Sequence, residues 1–435
     1  MNLGIDNLPS ACDVLVIGAG PAGSAAAITL ARGGLDVVLV DHHAFPRDKV
    51  CGDGLIPDAH HALRRLGVLD EVMGQAQASG FVGCIAPRGG RIDVPGVLAV
   101  LPRKALDLIV CRAAVAAGAR MFAPVRFIAP VEEAGRVVGA TLQCGDATRE
   151  LRARWVLLAT GAVPQALMAA GMATRHTPSG VALRGYVQCD AMVGRISALE
   201  VVWHRALTPG YGWIFPCPGG VFNIGVGIAD SHNRRTGSKL AKQEINLRQV
   251  LVDFQAAYAP ARELMQGGTV LGAFKGAPLR CTLEGARFTR PGLLVIGEAA
   301  GSTYSFTGEG IGKAFETGIH AAEAVLADGA RHHTDTNTAA AAATDTAADT
   351  DNDADADTAV RADYEARLQT LKPRFDLYQR ANVVNRHPWL ADLLIWRARK
   401  SPRIVRRMSG VLNETSNPGN LVSVKGFTRL FLDRR

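Results

Sequence analysis

Asp13-Val14-Leu15-Val16-Ile17-Gly18-Ala19-Gly20-Pro21-Ala22-Gly23-Ser24 decides the reading of this chain. A short apolar run ends in a G-x-G-x-x-G series and an Ala-rich helical run follows, the strand–turn–helix order that a dinucleotide fingerprint requires. Gly18 allows the tight turn, Gly20 lets the backbone approach a pyrophosphate, and Gly23 lets helix and strand pack closely. Free N–H groups at the helix start then face the phosphates. The run 35–40 reads as a second strand, and Asp41 at its end is placed to hold a ribose hydroxyl pair.

Outward from this unit, the 435 residues suit two or three domains. The net charge of +8 is partly offset by an Asp-rich segment after residue 334, so the remainder is more basic still. That balance fits an anionic cofactor, an acidic partner or a membrane surface. Aromatic residues make up only 6% and no basic–aromatic repeat occurs, so nucleic acid is not an expected partner. The eight cysteines form no C-x-x-C pair, so neither a metal site nor a disulfide framework is expected. No signal peptide is visible and no apolar run reaches the roughly 20 residues of a membrane span. A cytoplasmic protein is the expectation, with peripheral contact at the inner membrane face as an option.

The chain divides as follows. Residues 10–80 form the first part of the nucleotide-binding domain, 81–100 an excursion into sheet, and 101–175 the second part, with a helix over 103–118 and a returning strand at 155–159. Residues 176–282 read as a mostly antiparallel sheet forming one wall of a pocket, with 262–276 re-entering that sheet. Residues 283–330 return to the first domain. The Ala/Thr/Asp-rich stretch 331–359 cannot bury an apolar face and reads as a disordered insertion. Residues 360–435 read as a helical, basic cap, in which Trp389 and Trp396 sit beside Arg397, Arg399, Lys400, Arg403, Arg406 and Arg407. Such an element can lie on a membrane or dock an acidic partner.

Chemistry concentrates at three further places. Cys51 lies in Lys49-Val50-Cys51-Gly52-Asp53-Gly54-Leu55, where Lys49 and the nearby Arg47 are expected to favour its thiolate. Tyr211, Trp213 and Phe215 alternate, so strand geometry sends all three to one face. Glu298 ends the buried-strand pattern 292–297, and Gly308-Glu309-Gly310-Ile311-Gly312 opens a helix, both usual ligand positions in a parallel sheet.

Four stretches carry a resemblance: the 18–23 fingerprint, 49–55, Pro209-Gly210-Tyr211-Gly212-Trp213-Ile214-Phe215-Pro216, and 297–301 with 307–312. The chain resembles the geranylgeranyl reductase family of flavoproteins, within the para-hydroxybenzoate hydroxylase-like superfamily of monooxygenases and halogenases. The resemblance implies an α/β fold: a Rossmann-like FAD-binding domain with an inserted, mostly antiparallel substrate sheet and a helical C-terminal region. It implies FAD contacts from Gly18, Gly20, Pro21, Ala22, Gly23, Asp41, Arg103, Gly297, Glu298, Gly308, Gly310 and Ile311. It places Cys51, Tyr211 and Trp213 as catalytic candidates, with Asp53 and Phe215 on the substrate. Glu298 stands where the family usually has Asp. At Ala159-Thr160-Gly161-Ala162 the Asp-Gly motif of many relatives is missing. That departure weakens a direct NADPH or NADH site and favours a separate flavin reductase or another donor as electron source.

Two activities follow. One is reduction of carbon–carbon double bonds in a prenyl-type hydrophobic substrate by hydride from flavin N5, with Cys51 either donating the proton or orienting the substrate and Tyr211 as the next candidate. The other is a monooxygenase or halogenase-like reaction through a flavin C4a-hydroperoxide on an aromatic or indole, including a residue on a peptide or carrier protein, with His60, His61 and His176 as candidate bases. An electron-transfer flavoprotein is a third class.

Overall fold

The computed structural model describes residues 3–229, 245–338, 348–413 and 415. β1 (Ala11–Ile17) runs into α1 (Pro21–Arg32), and β2 (Val37–Val40) completes the first crossover. A loop leads to β3 (Gly54–Leu55), α2 (Pro57–Arg65), α3 (Leu69–Gln75) and the hairpin β4 (Gln77–Ile85) and β5 (Arg91–Val100). Next come α4 (Arg103–Ala116), β6 (Arg120–Phe122), β7 (Arg126–Glu133), β8 (Arg136–Cys144), β9 (Ala147–Leu158) and α5 (Gln165–Ala169). The second body is built from β10 (Gly180–Gln188), β11 (Leu199–Val202), β12 (Gly210–Pro216), β13 (Val221–Ala229), α6 (Leu247–Ala257), α7 (Ala259–Gly267) and β14 (Thr269–Leu279). The chain returns through β15 (Thr289–Arg290), β16 (Leu293–Val295) and α8 (Ile311–Thr338). It closes with α9 (Ala348–Ala381), α10 (Val383–Arg386), α11 (Trp389–Ala398) and α12 (Pro402–Leu412).

The first sheet has the order β15-β16-β9-β1-β2-β6, with β8 attached to β9 and β7 to β8. The run from β16 to β6 is parallel. Both faces are covered, so its strands read as continuous apolar runs. Val14 and Val16 pack with Ala25, Ala26, Ile28 and Phe315 under α1 and α8. Leu15 and Ile17 point the other way, against Val137, Leu142 and Leu167. The second sheet has the order β14-β10-β13-β12-β11-β4-β5-β3. Its pairs are antiparallel except β11 with β4. One face of this sheet packs on α6 and α7 through Ile214, Ile224, Phe254 and Leu264. The far end of its other face is covered by α10–α12, where Trp203, Ile92 and Val94 meet Val384, Ile395 and Ile404. Among the described residues no helix is long and apolar enough to cross a membrane.

The α/β architecture with its inserted, mostly antiparallel sheet is the one the sequence implies. Three local readings differ. Within 262–276, α7 runs to Gly267 before β14 begins, because Ala261 and Leu264 supply a helical apolar face for the second core. β7, unread in the sequence, is a half-exposed strand containing Pro130. The expected disordered insertion 331–359 is entered by helix from both sides, α8 to Thr338 and α9 from Ala348. Its centre, 339–347, lies outside the described residues. At its C-terminal end Ala356 and Asp357 are buried. Asp357 accepts from the Gly292 N–H at 2.7 Å and pairs with Arg361 at 2.7 Å and Arg136 at 3.3 Å. Alanine is a strong helix former, and these partners satisfy an acid that composition alone assigns to solvent.

Asp357→Ala therefore strands the buried Gly292 N–H and removes a charge partner from Arg361 and Arg136. A loss of about 1–3 kcal/mol is expected, read as a lower urea midpoint at unchanged slope. An unchanged midpoint would show that this turn contributes no docking energy.

Candidate FAD and substrate site

The turn after β1 is shaped for close contact. Gly18 has φ +107°, and its N–H donates to Val40 O at 2.7 Å. A Cβ on Gly18 would collide with the Ala159 carbonyl, and one on Gly23 with the Gly18 carbonyl. Gly20 caps α1, whose first N–H groups have no acceptor inside the helix. Two guanidinium groups face this end: a Cβ built on Gly20 lies 3.6 Å from Arg47 Nη2 and 3.7 Å from Arg103 Nη2. A helix N-terminus opposed by two arginines is an anion cradle. The residues present therefore fit a pyrophosphate.

Both arginines are held by buried acids. Arg103 makes a two-pronged pair with Asp107, at 2.6 and 2.8 Å, and Arg47 reaches the same acid at 2.9 Å. Asp41 accepts from Ala19 N at 3.0 Å, from His43 N at 2.9 Å and from Arg47 Nη2 at 3.2 Å. It stands at the end of β2, so a ribose there would share its carboxylate with Arg47. On the opposite side, Glu298 accepts from Thr303 Oγ1 at 3.4 Å and lies 4.0 Å from Lys49 Nζ.

One cavity of about 930 Å³ joins these groups. It begins at Gly18, Gly20, Pro21, Ala22 and Asp41, passes Arg103, Cys51, Asp53, Glu298, Gly308, Gly310 and Ile311, and ends among Tyr211, Trp213 and Phe215. The proposed contact set is thus brought together, except that Gly23 and Gly297 lie behind the wall. Gly297 has φ +64°, and a Cβ there would sit 2.6 Å from Ala22 Cβ.

The aromatic end follows from the period of β12. Ile214 points into the core under α6 while Tyr211, Trp213 and Phe215 face the cavity. Trp213 Nε1 donates to Asn223 Oδ1 at 2.9 Å. Its ring lies across Gly225, the residue paired with it on β13, where any Cβ would collide. Trp203 and Phe306 stack at 6.0 Å farther out. The hydroxyl of Tyr211 donates to the Thr307 carbonyl, and burial pushes its pKa up.

The 48–54 loop crosses between the two sheets. The fully buried Arg184 on β10 donates to Cys51 O at 3.2 Å, Lys49 O at 2.7 Å and Asp48 Oδ1 at 2.8 Å. Asn223 Nδ2 donates to Cys51 O at 2.8 Å and Asp53 Oδ2 at 2.7 Å. Asp53 also accepts from Tyr186 Oη at 2.6 Å and from the Arg103 N–H at 3.2 Å. Burial pushes Asp53 up to about 6, against the opposing hydrogen bond from Tyr186 and the charge of Arg184.

Two expectations change. Cys51 is not a favoured thiolate: burial raises its pKa, opposed by Arg103, so it remains a neutral thiol. Arg47 points to Asp41 and Asp107 instead. His60, His61 and His176 are not among the lining residues. His60 is buried, and that burial lowers it to about 4. Arg184, Asn223 and Tyr186 escaped the sequence reading. A charged residue inside a buried strand was the available signal for Arg184.

The Asp53 shift has a signed consequence. Below about pH 4 the carboxyl is neutral in both folded and unfolded chains. Between about pH 4 and 6 the unfolded chain releases a proton that the folded chain keeps, so this group lowers stability as pH rises. Asp53→Asn removes that slope. The stability of the variant minus that of the parent should rise by roughly 3 kcal/mol from pH 4 to 7. A difference independent of pH would contradict the raised pKa.

A family model described as "FAD binding domain" matches residues 11–240. Menaquinone reductase of Mycolicibacterium smegmatis is 33% identical over 331 residues, 73% of this chain and 77% of that protein. Digeranylgeranylglycerophospholipid reductase of Methanosarcina mazei is 31% identical over 321 residues, 72% and 74% of the two chains. A solved geranylgeranyl bacteriochlorophyll reductase-like protein of Thermoplasma acidophilum shares the fold with a TM-score of 0.67 at 21% identity, covering 98% of this chain and 96% of its own. With the anion cradle and the fingerprint already in place, the chain belongs to the geranylgeranyl- and digeranylgeranylglycerophospholipid-reductase-like FAD-binding oxidoreductases, which are related to the para-hydroxybenzoate hydroxylase-like flavoenzymes.

Proposed function

We propose that this enzyme reduces carbon–carbon double bonds of a prenyl-type or related hydrophobic substrate. The observation that carries the reading is the continuity of one cavity, from the Gly20–Arg103 cradle past Cys51 to the aromatic wall and on to Met408 and Leu412. The relatives support this class, since menaquinone and digeranylgeranylglycerophospholipid both carry prenyl chains. The absence of histidine from the lining of the aromatic end, among the described residues, disfavours base-assisted attack on an aromatic.

Bound FAD, once reduced, supplies a hydride. An isolated alkene stabilises little charge, so placement matters most. Trp213, fixed by Asn223 and Gly225, and Phe215, against Gly52 and Gly54, give a rigid apolar surface that orients a chain and excludes water. Cys51 Sγ holds a proton beside the same space and is the donor in this reading. The Tyr211 hydroxyl is committed to Thr307, which makes Tyr211 a positioning residue. The Thr160-Gly161 turn lines the cavity without the family's Asp, which supports a separate flavin reductase over direct NADPH or NADH binding. Trp389 and Trp396 are 60% and 51% exposed, beside exposed Arg399, Lys400, Arg403 and Arg406. Because α12 also reaches the cavity through Met408 and Leu412, this face suits peripheral contact with an anionic membrane from which a lipid enters.

Anaerobically reduced, FAD-loaded protein mixed with a menaquinone or an unsaturated prenyl lipid should regain oxidised-flavin absorbance and yield saturated product. Cys51→Ala should retain FAD and slow product formation by about 100-fold or more. Turnover unchanged in Cys51→Ala would remove the proton-donor role. Oxygen-dependent hydroxylation or halogenation of an aromatic, with no reduction of prenyl lipids, would replace this reading with the monooxygenase one.

A further inference from the structure

Behind the aromatic wall lies a second, smaller cavity of about 370 Å³. Tyr211, Gly227, Leu279 and Gly308 belong to the walls of both, so a single layer of residues separates them. Arg175 and Ser179 line it, and the fully buried Arg280 backs it. Arg280 Nη1 donates to Arg175 O at 3.2 Å and Nη2 to Gly285 O. Arg175 Nη2 donates to Ser179 Oγ at 2.5 Å. The Nε atoms of both arginines are buried without an acceptor. A Cβ built on Gly285 would lie 2.8 Å from Arg280 Nη2 and 3.3 Å from Arg175 Nε, so the two guanidinium groups converge.

Among the described residues neither arginine has a carboxylate at ion-pair distance. The acid on the lining, Glu284, has Lys372 Nζ at 3.7 Å. Glu298 is the acid that acts on Arg280, from farther away. Guanidinium groups do not deprotonate in proteins. Two like charges sharing a desolvated corner are costly unless an opposite charge joins them. Ser305, another lining residue, adds a buried hydroxyl without a partner.

We propose that this cavity is an oxyanion subsite, taking a carboxylate or phosphate on the N–H edge of the Arg175 guanidinium, with Arg280 supplying positive potential from behind. The anion is either the head group of the substrate or a free oxyanion. Only the first source rests on the reductase reading; the subsite itself does not.

The test uses FAD-loaded protein, so that the Gly20–Arg103 cradle is already filled, at ionic strength held constant with chloride. Inorganic phosphate should raise the melting temperature saturably, and Arg175→Gln should weaken its apparent affinity at least tenfold while retaining FAD. Arg175→Lys, which keeps the charge and loses the planar fork, should fall between them and serves if the Gln variant does not fold. No saturable rise, or the same rise in Arg175→Gln, overturns the proposal. Octyl phosphate and octanol then separate the sources. Octyl phosphate binding tenfold tighter than both octanol and inorganic phosphate, with the preference lost in Arg175→Gln, identifies a head group. Equal binding of octyl phosphate and inorganic phosphate identifies a free ion. Both results support the subsite whether or not prenyl lipids are reduced.

Discussion

The 48–54 loop is held by buried polar groups rather than by secondary structure. Arg184 reaches it from β10, Asn223 from β13 and the Arg103 N–H from the start of α4. Removing one member of such a set leaves a desolvated charge or donor without a partner, which costs more than the contact contributes when made. The position of Cys51 therefore depends on both sheets at once. The second sheet supplies Arg184 and Asn223. The first domain supplies Arg103, which Asp107 fixes against the cofactor cradle. Cofactor binding and the placement of the thiol are thus parts of one mechanical unit.

This dependence explains what the sequence could and could not reveal. The fingerprint is local: strand, turn and helix follow within a few residues, and the acid comes one strand later. The aromatic wall is local too, because alternation along β12 alone sends Tyr211, Trp213 and Phe215 to one side. The clamp is not local. Arg184 meets a loop more than a hundred residues earlier in the chain, and Asn223 is an ordinary polar residue until β13 lies beside β10. The thiolate expectation failed for the same reason. Arg47 is near Cys51 in sequence, but Asp41 and Asp107 draw its guanidinium to the nucleotide end. The Asp-rich segment was misjudged at Asp357, where composition carried no sign that Gly292, Arg136 and Arg361 would converge on that residue.

Proton position within the clamp is constrained in turn. Trp213 can only donate, so Asn223 must present its carbonyl oxygen to the indole and its amide to Cys51 O and Asp53. Asp53 then receives three donors, from Asn223, Tyr186 and the Arg103 backbone, an arrangement suited to the ionised carboxylate. Burial opposes that ionisation. When the carboxyl gains a proton on Oδ2, the oxygen that accepts from both Tyr186 and Asn223, the new O–H has to find an acceptor, and one of those two must give up its bond there. Asn223 cannot turn over without breaking its bond to Trp213. The least disruptive change is rotation of the Tyr186 hydroxyl, which then accepts instead of donating. The indole, the loop carbonyl and the thiol can stay in place while the proton moves, so the network tolerates a titrating carboxyl beneath the substrate surface without reshaping it.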